Sequence, residues 1–291
     1  MLDTNKTLDI LKILVTGLSG FIGKNLILSN EPNVEIIQGI TSKKSKIICE
    51  RYVDLSGSSE SIRNAIKELE VKIILHLASS GGYIGEGSIL KKSIKMNILI
   101  PIKILHALPQ KSKYIYIRSY WEVLNLNEIG NYRRKIYTLT KKFFHIYAQM
   151  QKKNTYSVLV GDVCGVNDER KNLLFHIKKS LESENEVKLD SAANLLFPIH
   201  VADVIKVIGR IINSNTEQRS HYLLPSQAYR IGDVIKLVEK ILKKEIMTEY
   251  TENRIFRPNY QNLKLYSSTE VTDFMEILRE IFDDKSEIKL N

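Results

Sequence analysis

The stretch that decides the fold is Ile13-Leu14-Val15-Thr16-Gly17-Leu18-Ser19-Gly20-Phe21-Ile22-Gly23. An apolar run typical of a buried strand ends at Thr16, and a helical pattern begins with Phe21 and Ile22. Between them the glycines recur at a spacing of three. In strand–turn–helix units of this kind the first glycine permits a sharp turn, the second lets a pyrophosphate approach the backbone, and the third lets helix and strand pack closely.

The start of this helix is predicted to hold a dinucleotide. The first turn of a helix has unpaired N–H groups and a partial positive charge, and both attract phosphate. We therefore expect the cofactor to be bound by Gly17, Gly20, Phe21, Ile22 and Gly23. A tight turn without a ligand is the alternative.

Composition and charge exclude several other classes of function. The 291 residues are 43% hydrophobic and carry a net charge of +10. Because the lysines are scattered in pairs without interleaved aromatic residues, we expect a solvated basic surface and no nucleic-acid partner. No apolar run reaches the roughly 18 residues needed to span a bilayer, so no membrane partner is expected. Cys49 and Cys164 lie far apart without metal-ligand spacing, which favours a cytoplasmic protein without a metal site.

The first half of the chain alternates between strand and helix patterns. Strands are predicted at Lys12–Thr16, Val34–Ile40, Ile47–Val53, Lys72–Leu77, Tyr114–Arg118 and Tyr156–Val160. Helices are predicted at Phe21–Ser29, Ser59–Leu69, Ser88–Leu108 and Tyr132–Gln151. Such alternation predicts an α/β fold, a Rossmann-type doubly wound parallel sheet with helices on both faces.

The pattern of predicted strands and helices changes in the second half of the chain. Helical patterns at Leu173–Ser183, Ala202–Ile212, Ile231–Lys243 and Val271–Phe282 alternate with short strand patterns near Val187–Leu189, Leu195–Phe197 and Tyr222–Leu224. We therefore expect a dinucleotide-binding domain over residues 1–165. Residues 166–291 would form mostly a small substrate-binding lobe, with segments at about 190–215 returning to the sheet.

The segment after the second strand favours NADP(H) over NAD(H). Enzymes that choose NAD usually place an acid there to accept from the ribose 2′-hydroxyl. Here the strand is followed by Thr41, Ser42 and Lys43, whose hydroxyls and positive charge suit a 2′-phosphate. An ordinary basic loop with NAD(H) as the cofactor is the alternative.

Two later strand ends complete the predicted cofactor site. Asp54-Leu55 follows the third strand and is expected near the adenine. Leu77, Ala78 and Ser79 end the fourth strand on the nicotinamide side, where His76 is expected to be a packed residue rather than a catalyst.

A tyrosine and a lysine on the long helix after the fifth strand predict redox chemistry. Tyr137 and Lys141 are four residues apart, so they share one helix face. A nearby ammonium favours the phenolate and brings a tyrosine towards the pKa of a general acid or base.

Taken in order, these motifs resemble one family. Gly17-x-x-Gly20-x-x-Gly23, Asp54-Leu55, His76-Leu77-Ala78, Asn97 and Tyr137-x-x-x-Lys141 resemble the extended short-chain dehydrogenase/reductases, the nucleotide-sugar epimerase/dehydratase group. The resemblance covers nearly the whole chain. It implies that Tyr137 is the catalytic acid/base, that Lys141 lowers its pKa and holds the nicotinamide ribose, and that Asn97 belongs to the cofactor site.

The resemblance also implies a Ser or Thr at the end of the fifth strand that hydrogen-bonds the reacting oxygen of the substrate. That position falls on Tyr120, but a small change of register would bring Ser119 into it, and we favour Ser119. Dehydratases of the family carry an Asp-Glu pair next, where this chain has Trp121-Glu122, so half of their acid/base apparatus is missing.

Two further segments, the short connection from Trp121 to Tyr137 and residues 161–174, resemble the 4-ketoreductases of deoxysugar nucleotides. The implied substrate site contains Tyr120, Trp121, Asp162, Cys164, Arg170 and Lys171. Cys164 is expected as a pocket wall, and the two basic residues are candidates for the diphosphate, with surface solvation as the alternative. The leading hypothesis is therefore NADPH-dependent reduction of a CDP- or dTDP-linked 4-keto-deoxysugar. The alternatives are an epimerase with tightly bound NAD and a non-catalytic dinucleotide-sensing protein. The helices at 88–108 and 132–151 resemble those that pair between subunits in this family, which implies a homodimer.

Overall fold

A seven-stranded parallel sheet lies at the centre of the structure, in the order β11-β6-β5-β4-β1-β2-β3. This computed structural model describes residues 10–29, 33–41, 46–80, 89–130, 132–151, 153–183, 185–214, 217–250, 258, 263, 265–266, 268 and 271–282. The strand order reverses between β1 and β4, which is where a doubly wound sheet opens a crevice at its carboxyl edge. The predicted α/β Rossmann-type sheet is confirmed.

The strands of the structure are β1 Leu11–Thr16, β2 Val34–Ile40, β3 Tyr52–Asp54, β4 Ile73–His76, β5 Lys113–Ser119, β6 Asn154–Val160, β7 Asp162–Cys164, β8 Val187–Leu189, β9 Leu195–Leu196, β10 Pro198–His200, β11 Ser220–Leu223, β12 Tyr229–Arg230 and β13 Thr248–Tyr250. The helices are α1 Phe21–Leu28, α2 Ser59–Glu68, α3 Ile89–Ile94, α4 Ile100–Ala107, α5 Tyr132–Met150, α6 Leu173–Ser183, α7 Val201–Asn213, α8 Ile231–Leu242 and α9 Phe274–Phe282. A π-helical turn, Lys95–Leu99, joins α3 to α4.

The third strand is shorter than its apolar pattern predicts. The strand predicted at Ile47–Val53 is wrong over its first residues, because β3 begins at Tyr52. The side chain of Gln38 explains the difference: its amide donates to the carbonyl of Lys46 at 2.7 Å and accepts from the N–H of Ile48 at 2.6 Å. This side chain satisfies backbone groups that would otherwise pair with a strand.

Two apolar cores cover the two faces of the sheet. On one face α1 and α7 pack against the strands, with Leu26, Val204 and Ile208 among the buried residues. On the other face α2, α4 and α5 pack, with Ile62 and Ile104 fully buried. Helices on both faces leave the carboxyl ends of the strands as the open edge for a ligand.

A third apolar cluster lies in the second half of the chain. It joins α6, α8 and α9 to β8, and it includes Ile177, Val234 and Ile277. The strand that returns to the main sheet is β11, and the helix α7, which precedes it, packs on α1 and β6. Among the described residues, no helix combines the length and the apolar character needed to cross a membrane.

Candidate active site

The glycine turn after β1 is shaped by close contacts within the protein. Gly17 has a φ of +78°, and a Cβ there would lie 2.6 Å from the amide nitrogen of Ala78. A Cβ on Gly23 would lie 2.5 Å from the Cα of Leu18. The fold itself therefore requires glycine at both positions, since backbone atoms cannot give way.

The middle glycine is different. A Cβ on Gly20 would meet only the carbonyl oxygen of Gly17, at 3.1 Å. Gly20 is also the residue that precedes α1, and no side chain caps the N–H groups of the first turn. An open backbone beside uncapped N–H groups fits a pyrophosphate, so the chain's own residues fit the dinucleotide that the sequence predicts.

A hydrogen-bonded cluster joins the ends of β1 and β4. The hydroxyl of Thr16 bonds to Nδ1 of His76 at 2.9 Å and accepts from the N–H of Ala78 at 3.1 Å. Burial, with a further contribution from the charge of Lys141, lowers the pKa of His76 to about 3. His76 is therefore a neutral packed residue, as expected, while Leu77 and Ala78 are half-buried and Ser79 is exposed.

Asn97 lies in the π-helical turn and forms hydrogen bonds to the segment after β4 and to α5. It is 2% exposed. Its side-chain oxygen accepts from the N–H of Ser80 at 2.9 Å and from the hydroxyl of Ser79 at 3.1 Å, and its nitrogen donates to the hydroxyl of Thr140 at 3.0 Å. The structure thus places Asn97 as the link between the end of β4 and helix α5.

The structure describes only some of the residues that are predicted to lie near the adenosine of the cofactor. Thr41 directly follows β2 and is half-buried, while Ser42 and Lys43 lie outside the described residues. The carboxylate of Asp54 accepts from the N–H of Ser56 at 2.8 Å and from its hydroxyl at 2.7 Å. Leu55 is fully buried in the core, so its side chain faces away from solvent.

The tyrosine–lysine pair lies on α5 beside the end of β5. Tyr137 is half-buried, and the hydroxyl of Thr140 bonds to its carbonyl at 2.9 Å. The ammonium of Lys141 donates to the carbonyl of Ile117 on β5 at 2.5 Å. Burial lowers the pKa of Lys141, the charge of Glu122 opposes that shift, and the charge of Arg118 adds to it. Helix α5 thus holds both predicted groups at the carboxyl edge.

Ser119 and Tyr120 occupy different environments, although they are neighbours. Ser119 ends β5 and precedes the 3₁₀ turn Tyr120–Val123, and its hydroxyl accepts from the N–H of Trp121 at 3.4 Å. Tyr120 is 1% exposed, and its hydroxyl donates to Asp162 at 3.3 Å. Its ring packs 4.9 Å from that of Phe197. The structure therefore turns Tyr120 into the core and leaves Ser119 at the strand end.

Arg118 and Glu122 form a buried ion pair that the sequence did not predict. Their side chains are 8% and 0% exposed, and Nε of Arg118 donates to Glu122 at 3.1 Å. The other carboxylate oxygen of Glu122 accepts from the N–H of Ser119 at 2.8 Å. The available signal was a charged residue inside an apolar strand, four positions before an acid.

Asp162 and Cys164 line the end of β6 on the lobe side. The carboxylate of Asp162 accepts from the N–H of Phe197 at 2.8 Å. Burial raises the pKa of Asp162 to about 6, although hydrogen bonds from Phe197 and Tyr120 oppose the shift. Cys164 is 4% exposed, and burial raises the pKa of its thiol. It is a wall residue in the lobe core rather than an activated nucleophile.

Arg170 bridges the lobe and the glycine turn. Its guanidinium lies 4.5 Å from the ring centroid of Phe21, the first residue of α1. The same group is held by Asp168, at 2.6 and 2.7 Å, and donates to the carbonyl of Val163 at 2.5 Å. Lys171 is exposed. The two residues predicted to bind the diphosphate therefore differ, since Arg170 is held beside the glycine turn and Lys171 is exposed.

Comparisons with known proteins agree with this geometry. The model of the NAD dependent epimerase/dehydratase family matches residues 13–232. The CDP-abequose synthase of Yersinia pseudotuberculosis is 22% identical over 284 residues, which cover 89% of this chain and 96% of that protein. The structure of UDP-glucuronic acid 4-epimerase from Bacillus cereus, in complex with UDP-glucuronic acid and NAD, is similar with a TM-score of 0.72 at 16% identity, over 94% of this chain and 98% of that one.

A second solved structure is similar to the same extent. It is the dTDP-glucose 4,6-dehydratase of Bacillus anthracis str. Ames in complex with NAD, with a TM-score of 0.71 at 15% identity, over 96% of this chain and 97% of that one. At such low identities the solved structures establish a shared fold alone.

Proposed function

Since the chain belongs to the NAD dependent epimerase/dehydratase family, we propose that it is an NADPH-dependent reductase of a nucleotide-linked 4-keto-deoxysugar in the biosynthesis of deoxysugars for surface polysaccharides. The observation that carries this proposal is the arrangement at the end of β5. Tyr137 and Lys141 lie on α5 beside this strand end, Ser119 terminates the strand, and Glu122 is tied to Arg118. The similarity to a CDP-abequose synthase supports a CDP-linked substrate, with a dTDP-linked one as the alternative.

Each residue has a role that follows from its position. When bound, NADPH would supply the hydride that the keto carbon of the sugar accepts. Tyr137 protonates the oxygen of that carbon, and Ser119 donates a hydrogen bond to the same oxygen. Lys141, held by the carbonyl of Ile117, keeps a positive charge beside the phenol and favours the phenolate that remains.

The same arrangement argues against a sugar dehydratase. Removing water from the sugar needs a free acid or base in addition to the tyrosine. Both carboxylate oxygens of Glu122 are engaged within the protein, by Arg118 and by the backbone of Ser119. Trp121, at the preceding position, stacks with the guanidinium of Arg134 at 5.1 Å and brings no acid.

The choice of NADPH is part of the proposal. No acid directly follows β2, and Thr41 at the strand end carries a hydroxyl. An epimerase that keeps NAD bound is the second candidate, since a similar fold belongs to a UDP-glucuronic acid 4-epimerase. Copurification of NAD in a one-to-one ratio would favour the epimerase over the reductase, and an assay of NADPH oxidation would separate the reductase from a non-catalytic binding protein.

For the substrate, we propose that the nucleotide sugar lies over the end of β6, between Trp121 and Arg170. Asp162 and Cys164 would line the floor of this cleft, and Lys171 would face the diphosphate from its rim. A cytoplasmic location is part of the proposal, since nucleotide sugars are made from cytoplasmic nucleotides and Cys49 and Cys164 are unpaired.

We also propose a homodimer that pairs through α5. Helix α5 exposes large apolar side chains at helical spacing, and these are Leu139, Phe143, Ile146 and Met150, exposed by 48%, 53%, 50% and 76%. Leu99, in the π-helical turn that packs against α5, is 55% exposed. An apolar stripe of this kind supports burial against a second copy.

The decisive experiment measures NADPH oxidation with CDP- and dTDP-linked 4-keto-6-deoxyhexoses. We expect turnover with one of them, and a loss of at least about 100-fold in kcat for Tyr137→Phe, because the proton donor is removed. Tyr132→Phe is the matched control, since Tyr132 is 69% exposed on the same helix. Full oxidation by Tyr137→Phe would show that the mechanism is wrong.

A further inference from the structure

We propose that Glu122 and Arg118 are positioning residues of the active site: together they fix the turn that carries Ser119, and the carboxylate of Glu122 favours the ammonium of Lys141, which is held at Ile117 on the same strand. This deepens the proposed function, and its kinetic test rests on that function. Two of its readouts need no substrate at all.

The geometry gives Glu122 two partners in the site. One carboxylate oxygen accepts from the N–H of Ser119 at 2.8 Å, and the other accepts from Nε of Arg118 at 3.1 Å. The hydroxyl of Ser119 reciprocates by accepting from the N–H of Trp121, so the strand end is closed as a capping box. The carboxylate therefore holds the backbone of Ser119 in place.

A buried ion pair is not needed for stability at this position. Desolvation of two charges offsets much of their attraction, and apolar residues of similar size are often as stabilising. Here both side chains are at least nine-tenths buried, next to Ser119, the last residue of β5. Because a displacement of about 1 Å in a catalytic group can reduce a rate about 100-fold, a rigid strand end has a direct use in catalysis.

Lys141 lies beside this ion pair, because its ammonium donates to the carbonyl of Ile117, the residue before Arg118. The charges acting on Lys141 are Glu122, which favours its ammonium, and Arg118, which opposes it by a smaller amount. The two histidines nearby, His76 and His145, are neutral because burial lowers the pKa of each to about 3. Glu122 thus offsets the burial of Lys141 and preserves the charge that the phenol needs.

Two variants separate the two effects. Glu122→Gln keeps an oxygen that can accept from Ser119 but removes the negative charge. The double variant Arg118→Met/Glu122→Leu replaces the pair by apolar side chains, so it tests the proposal even if the single variant does not fold. Glu128→Gln is the matched control, because Glu128 accepts from the N–H of Asn125 in the next turn at 3.3 Å.

Competitive acylation with mass spectrometry follows the titration of the Lys141 amine without any substrate. We expect the pKa of Lys141 to be highest in the unchanged protein, lower in the double variant and lowest in Glu122→Gln, since the last retains Arg118 unopposed. Amide exchange at Ser119 should be at least about tenfold faster in the double variant, because the carboxylate that accepts from the N–H of Ser119 is lost there. It should be little changed in Glu122→Gln, which keeps an accepting oxygen.

The kinetic readout uses NADPH with the CDP-linked 4-keto-6-deoxyhexose. In Glu122→Gln the alkaline limb of kcat should move to lower pH, while KM for NADPH stays within about twofold. In the double variant kcat should fall by about 10- to 100-fold across the pH range. An unchanged Lys141 titration in both variants, or unchanged Ser119 exchange in the double variant, would overturn the proposal. Failure of the sugar to react, with both substrate-free results as expected, would refute only the proposed substrate.

Discussion

Replacing Gly20 with alanine should weaken dinucleotide binding and leave the fold intact. The backbone of Gly20, with φ −81° and ψ 170°, is one that alanine adopts without strain. A Cβ there would meet only the carbonyl oxygen of Gly17, at 3.1 Å. Neither glycine nor alanine caps the helix with a side chain, so we expect the free energy of unfolding to change by less than about 1 kcal/mol.

The expected loss of affinity follows from what the added methyl group would displace. A pyrophosphate at the start of α1 accepts charge-assisted hydrogen bonds from backbone N–H groups, and each is worth about 1.5–3 kcal/mol. Losing one of them weakens binding by about 10- to 100-fold, since every 1.4 kcal/mol is about tenfold.

Calorimetric titration with NADPH and NADH, together with thermal unfolding, measures both quantities. Gly130→Ala is the matched control, because a Cβ at Gly130 meets nothing within 4 Å. Gly23→Ala should instead destabilise the protein, since its Cβ would lie 2.5 Å from backbone atoms. If Gly20→Ala bound either dinucleotide within about threefold of the unchanged protein, the glycine stretch would be a plain turn and the cofactor site would lie elsewhere.

Three further predictions concern other parts of the structure. The pKa of Asp162 is raised to about 6 from 3.8, so its protonated form is favoured on folding and its contribution to stability is lost as pH rises through 6. Asp162→Asn should therefore stabilise the protein at pH 8 by about 1–3 kcal/mol and by less at pH 5, as measured by urea unfolding, and an equal gain at both pH values would contradict this. Phe143→Glu should convert the proposed dimer to a monomer in sedimentation analysis, because it puts charge in the exposed apolar stripe; a dimer that persists would place the interface elsewhere. Lys113→Met should lower the free energy of unfolding by about 1–3 kcal/mol, because the Lys113 ammonium donates to the carbonyls of Ile211, Ile212 and Ser214 at the end of α7; an unchanged denaturation midpoint would contradict this.

Much of the fold follows from local pattern. The glycine stretch, the alternation of strand and helix, and the buried runs that form β1, β4 and β5 are all properties of short segments, so the sequence predicts them. The third strand is different. Ile47 and Ile48, which the apolar pattern assigns to it, lie before the strand and are exposed by 52% and 39%. The side chain of Gln38 takes the backbone hydrogen bonds of this segment. A contact between residues ten apart leaves no trace in hydrophobic periodicity.

The candidate site also contains residues that local spacing predicts and residues whose positions depend on long-range contacts. Tyr137 and Lys141 are recognisable because four residues on one helix fix their relation. The choice between Ser119 and Tyr120 depended instead on Asp162, 42 residues further along, which accepts the tyrosine hydroxyl. The role of Arg170 depended on Phe21, whose ring it covers. Long-range packing of this kind decides which polar side chain faces a cleft. Residue spacing in a single sequence does not reveal such contacts.

The reaction of this site depends on where its acids are placed, because the fold is shared by epimerases and dehydratases alike. At the end of β5 the acid Glu122 is buried and paired with Arg118, and its neighbour is a tryptophan. The proposed function therefore assigns proton transfer to and from the sugar to Tyr137, which suits hydride transfer at a carbonyl but not the removal of water. Reductase and epimerase chemistry both meet this condition, and they differ in whether the dinucleotide leaves after each turnover. Under the proposed function, we expect that difference to arise at the glycine turn and at the Arg170–Phe21 contact beside it.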